Sequence, residues 1–190
     1  MSDHSDDSDS SDEEWSLWNE LYTGSCRSMF PTTPHRFVPE GFVNRAVNFE
    51  AVRLTLNIGV PSTIDQTLLN FIVSRAKKAF AIAVYARVNN VRKAMEWFMN
   101  KGIDDSNLPI KVQTPRWQAK WRGVFFDHQW RFFAPVFVTT DHRNDFEEFF
   151  ILPFTSVSLV SDEGAFGEVS EAVIHQDHMK PVSSSRNENS

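Results

Sequence analysis

The sequence predicts a mainly α protein: a helical domain with an aromatic-rich core, then one β-hairpin, between disordered termini. Three observations lead there. From about 48 to 101, apolar residues recur at three- and four-residue steps, the period of helices buried on one face. The chain holds 17 Phe and 6 Trp, and many of these rings crowd residues 117–137. From Ile151 onward the texture turns to short β-branched runs around two glycines. The expected division is an acidic Ser/Asp tail at 1–14, a helical domain at 15–145, a hairpin at 151–178 and a polar tail at 179–190.

A length of 190 residues suits one ordinary domain with tails, and 41 % hydrophobic residues can build its core. The net charge of −6 is uneven. Residues 1–14 hold seven acids and no Lys or Arg; removing them from the 25 leaves 18 acids against 19 bases. The body is near neutral, which offers no electrostatic case for nucleic acid. The one cysteine, Cys26, excludes an internal disulfide framework and a cysteine-rich zinc site, and reads as incidental rather than reactive. The acidic N-terminus is unlike a secretory or mitochondrial leader. No apolar run approaches the roughly 18 residues that span a bilayer. A cytoplasmic or nuclear location, with no membrane partner, is expected.

Taken in order, the tail at 1–14 is too polar to bury surface. Ser10 and Ser11 each have a glutamate three residues on, the pattern acidophilic kinases accept, so both are candidate phosphorylation sites. Trp15, Trp18, Leu21 and Tyr22 line one face of a short helix. Such a helix docks on its own domain, the favoured reading, or enters a partner's groove. Residues 23–41, with Pro31, Pro34 and Pro39, read as an extended connector.

Asn48 caps a helix through Asn57, closed by Gly59 and Pro61. Thr63 to Gln66 reads as a capping box with Thr63 at the N-cap. The helix it opens is predicted to continue to about Arg87, burying Ile64, Leu68, Phe71, Ile72, Ala79, Phe80, Ala83 and Val84. Arg75, Lys77 and Lys78 lie off that face, as a solvated surface rather than a basic patch. A third helix spans about 90–101, from Asn89 or Asn90 to Gly102. Asp104 and Asp105 read as turn or cap residues. Trp117, Trp121 and Phe125, four apart, suit a helix ending near Gly123 to Phe126. Arg116, Lys120, Arg122 and Arg131 interleave with these rings. Stacking on nucleobases would use the same letters, but core packing with Arg over the rings is the simpler account. His128 and His142, with Asp127, Asp141 and Asp145, have no metal-ligand spacing.

The glycine segment is Gly164-Ala165-Phe166-Gly167-Glu168-Val169, G-x-x-G-x-V, with a strand-like run on each side. A phosphate loop needs glycines because its backbone must approach the phosphates closely while turning between strands. Phe166 would cap the hairpin tip, and Val169 would open the second strand over the adenine.

Ile151 to Phe154, Asp162 to Val169 and Val173 to His178 together resemble the opening of the kinase domain in a large family of fungal protein kinase-like proteins. Glu13-Glu14-Trp15, Arg36 to Phe42, Arg75 to Ile82, Asp105 to Ile110, and Trp130 with Ala134 to Phe137 are similar to that family's pre-kinase region. The resemblance implies a helical pre-kinase domain followed by the first hairpin of a kinase N-lobe. It implies a nucleotide site of the Ser/Thr-kinase type at Gly164, Ala165, Phe166, Gly167 and Val169, with ATP and Mg as the family's cofactors. The departures are specific. Asp162 replaces the first glycine and would repel phosphates. The V-A-I-K lysine strand, the H-R-D loop and the D-F-G metal site are missing, and Lys180, flanked by Met179 and Pro181, is not assigned the lysine's role. Phosphoryl transfer depends on those parts acting together. The expectation is a kinase domain truncated after its glycine-rich loop, with a vestigial nucleotide site, no catalytic residue and no activity alone. The alternative is a non-catalytic helical interaction or regulatory module.

Overall fold

A computed structural model describes residues 16–30, 35–111, 119–138, 146, 149–161 and 169–180. These are mainly α, as the periodicity predicts. The helices are α1 (Leu17–Thr23), α2 (Phe42–Ala46), α3 (Phe49–Thr55), α4 (Thr63–Arg75), α5 (Lys77–Tyr85), α6 (Val91–Lys101) and α7 (Ala119–Gln129). The strands are β1 (Cys26–Arg27), β2 (Arg36–Phe37), β3 (Phe137–Val138), β4 (Phe154–Ser161), β5 (Val169–Ile174) and β6 (Met179–Lys180).

Helix α5 is the hub. From Ala79 to Tyr85 every residue is buried, because the run Ala-Phe-Ala-Ile-Ala-Val-Tyr is apolar all round. It touches α1, α2, α4, α6 and α7. Phe80 and Ile82 are fully enclosed, with Leu68, Leu69 and Ile72 of α4 and Met95 and Phe98 of α6 in the same core.

Local signals set several ends as expected. Asn48 accepts the Ala51 N–H and opens α3. Asn90 accepts the Lys93 N–H and opens α6, which stops at Gly102 in the left-handed region, φ +64°.

Four expectations need correction. The capping box sits one residue earlier: the Ser62 hydroxyl accepts the Asp65 N–H while the Asp65 carboxylate accepts the Ser62 N–H. Ile64 is then 70 % exposed instead of buried. The long helix expected from 63 to 87 is two helices, broken at Ala76 (φ −133°, ψ 32°), and it ends at Tyr85 because Arg87 turns to φ +50°. The connector at 23–41 contains an antiparallel β1–β2 pair, and α2, which the sequence reading missed, follows directly on Gly41.

Helix α7 outruns its predicted end at Gly123 to Phe126 and continues into a 3-10 turn, Trp130–Phe132. Its end is fastened from outside. The fully buried Gln129 amide donates to the Ile110 carbonyl at 3.0 Å and accepts the Ile110 N–H at 2.7 Å.

The β4–β5 hairpin is antiparallel, with Phe154 opposite Ile174 and Ser161 opposite Val169, and irregular in register at both ends. Its base is tied to the body. The Met29 N–H donates to the Phe154 carbonyl, and the Ser28 hydroxyl to the Leu152 carbonyl, both at 2.7 Å. Ile151 packs with Phe37 and Ala134 in a second small core. Beyond the hairpin, β6 pairs in parallel with β3.

Candidate functional site

The hairpin expected to bear the phosphate loop is present as strands. Gly164, Ala165, Phe166 and Gly167, with Asp162, lie outside the described residues, as do Ser10, Ser11 and Trp15. Val169 is described: it opens β5 and is 60 % exposed. Leu159, Val160 and Val173 around it are each more than half exposed as well. In the regular part of the ladder Leu159 pairs with Ser170 and Val173 with Ser156, three residues apart along each strand, so Leu159 and Val173 leave apolar surface on opposite sides of the ribbon. Neither strand carries a Lys or Arg; Glu171 is its one charged residue. The described strands therefore supply no cation to meet a phosphate.

At the hairpin's root the chemistry is denser. Two histidines meet Phe37 edge-on, His175 at 5.7 Å and His178 at 5.3 Å between ring centroids. His178 is 1 % exposed. Its Nδ1 lies 2.9 Å from the Pro135 carbonyl, and its Nε2 accepts the Glu40 N–H at 3.1 Å. Burial lowers its proton affinity below that of an ordinary histidine, against the opposing pull of the Pro135 carbonyl. Cys26 packs beside Phe37, and burial raises its thiol, with the Arg36 charge opposing. A raised thiol is a poor nucleophile, in keeping with an incidental cysteine. The sequence reading missed this histidine pair; the only signal was His-x-x-His beside the hairpin.

Near the end of α7 a cleft of about 290 Å³ is bordered by Phe126, Asp127, Trp130, Arg131, Phe149 and Phe150, among others. Its rings engage each other. Trp130 stacks on Phe149 at 5.4 Å and 19°, and meets Phe126 and Phe150 near edge-on. The core-packing account of the aromatic stretch fits this part, and Phe125 and Phe132 are buried outright. The side chains of Trp117, Trp121, Arg116, Lys120 and Arg122 lie outside the described residues.

The other singled-out groups hold structure. Arg75 bonds Asp104, Lys77 donates to the Asn44 carbonyl, and Lys78 lies 4.6 Å over the Phe133 ring, so the three make no shared basic patch. In α1, Leu17 and Leu21 are buried against the body. Trp18 donates to the Tyr85 carbonyl at 3.1 Å, stacks on Tyr22, and carries the Arg87 guanidinium 4.0 Å over its ring. The helix face expected for a partner groove is thus docked on its own domain, leaving Tyr22 partly exposed.

Among the described residues, no group of three or more His, Cys, Asp or Glu is placed to hold a metal ion. No helix among them is long and apolar enough to cross a membrane. No family model, curated protein or solved structure matches this chain.

Proposed function

We propose that this chain is a kinase-like protein that transfers no phosphate, and that its helical body serves as an interaction module presenting the glycine-rich hairpin to a protein partner. The observation that carries this reading is the hairpin's surface: Leu159, Val160, Val169 and Val173 are exposed on both faces of a two-stranded ribbon. An antiparallel sheet normally buries at least one face, and two strands alone are marginal in water. Apolar patches of this kind usually mark a binding surface. The body anchors the ribbon's root and leaves its length free to pack on something else. The near-neutral body favours protein over nucleic acid as that partner.

The resemblance to protein kinases supplies the origin of the hairpin. ATP and Mg enter only through that resemblance, and Asp162 together with strands lacking any cation argues for weak or absent binding. A thermal-shift titration with Mg–ATP, run beside a radiolabelled phosphotransfer assay, tests the reading. No shift and no transfer are expected. A saturable millimolar-range shift that Gly167→Val abolishes would overturn it.

A further inference from the structure

We infer that His178 is an acid-labile latch: its neutral imidazole fastens the 151–180 segment to the helical body, and protonation releases that segment. Two hydrogen bonds of opposite sense define the latch. A carbonyl can only accept, so Nδ1, facing the Pro135 carbonyl, carries the proton. A backbone N–H can only donate, so Nε2, facing Glu40 N, is bare. One neutral tautomer satisfies both partners. The imidazolium carries N–H on both nitrogens. Its Nε2–H would meet the Glu40 N–H head on, leaving buried donors without acceptors.

The surroundings oppose that second proton. Phe37 of β2 stands edge-on to the ring, and its neighbour Arg36 is turned away, bonded to Ser25 and the Tyr22 carbonyl. His175, on the same turn, lies 6.0 Å away between ring centroids and disfavours the charge. Glu40 from the preceding loop and Asp177 from the same turn favour it, but burial is the largest influence. Cys26 on β1 lies opposite Phe37, and Lys180 follows His178 by two residues in β6; Pro135 brings no titratable side chain.

The position makes the ring a latch rather than a core filler. His178 immediately precedes β6, which pairs with β3, and its two partners, Glu40 and Pro135, belong to the body. Three further ties of this segment, Ser28 to Leu152, Met29 to Phe154 and Ile151 against Phe37, contain no ionisable side chain; His175 also meets the Phe37 ring, so its replacement serves as the control. Because the native ring binds a proton less readily than a released one, the latch is fully closed above the ordinary histidine value of about 6.5. It is lost as pH falls below that value.

Amide hydrogen exchange on the whole chain tests the proposal, with rates corrected for intrinsic pH dependence. Between pH 7.5 and 5.5, protection at Glu40 and Lys180 should fall, by up to about tenfold per pH unit for one linked proton. His178→Phe should be less protected at pH 7.5 and lose this slope, while His175→Phe keeps it. An identical slope in wild type and His178→Phe overturns the latch. If His178→Phe does not fold, imidazole nitrogen shifts of the wild type decide. The Nδ1–H tautomer, staying neutral below pH 6.5 until the segment opens, supports the latch. An Nε2–H tautomer, or a ring that charges with no loss of protection, overturns it.

Discussion

Asp105 closes the N-terminus of α5 from a turn 26 residues further along the chain: its carboxylate accepts the backbone N–H of Ala79 at 2.8 Å, and that of Lys78 at 2.9 Å. Its neighbour Asp104 pairs with Arg75 at the end of α4. Two adjacent carboxylates thus sit on the two helix ends created at Ala76. Burial raises the Asp105 carboxyl, while the hydrogen bonds from Ser106, then Arg75, lower that of Asp104.

Their effects on stability run in opposite directions with pH. Asp104, depressed, contributes stability above the ordinary aspartate range and loses it as pH falls through its lowered value. Asp105, elevated, favours the fold in acid and loses that contribution as pH rises through its raised value. Urea unfolding from pH 3 to 6 should show Asp104→Asn flattening the acid-side loss and Asp105→Asn steepening it. Asp105→Ala at pH 7 should cost about 1–2 kcal/mol, the usual worth of an N-cap.

Gln129→Leu should cost about 1–3 kcal/mol. It leaves the Ile110 N–H and C=O without their buried amide partner, at a residue that is itself fully enclosed. The loss should appear in equilibrium unfolding and in faster exchange of the Ile110 amide. A change within experimental error would remove the amide from its role in extending α7.

Gly24 lies at the C-terminal end of α1, and a Cβ built there would overlap the Phe42 ring. Gly24→Ala should therefore separate α1 from α2 and cost about 1–3 kcal/mol, the usual range for overpacking. Tryptophan fluorescence should report it, since Trp18 on α1 would lose its contacts with Tyr85 and Arg87. Relief by a second change, Phe42→Leu, would identify the clash as the cause.

The helical part was legible where the signal was local. Asn48 and Asn90 each cap a helix through an N–H three residues on, and Gly102 takes the backbone region that glycine enters at little cost. The buried face of α4 and α5 was read from spacing, except at Ile64, whose place in the first turn leaves it outward. The candidate site was less legible. The strands around Gly164 to Val169 were placed correctly, but spacing could not reveal that Val169 stands exposed or that His178, four residues past Ile174, is the most enclosed polar ring at the root.

By itself the sequence determined that this is a mainly α chain, which apolar faces turn inward, where α3 and α6 begin, and that a hairpin follows Ile151. Each of those depends on side chains within about four positions of one another, so period and cap chemistry suffice. Only the tertiary structure decided the break at Ala76, the length of α7 and the seating of the hairpin on the body. In each case the deciding partner is remote. Asp105 takes N–H groups from α5, Ile110 holds Gln129, and Glu40 and Pro135 hold His178. Backbone groups freed in one segment are satisfied by polar groups that folding brings from another, and no local pattern records that pairing.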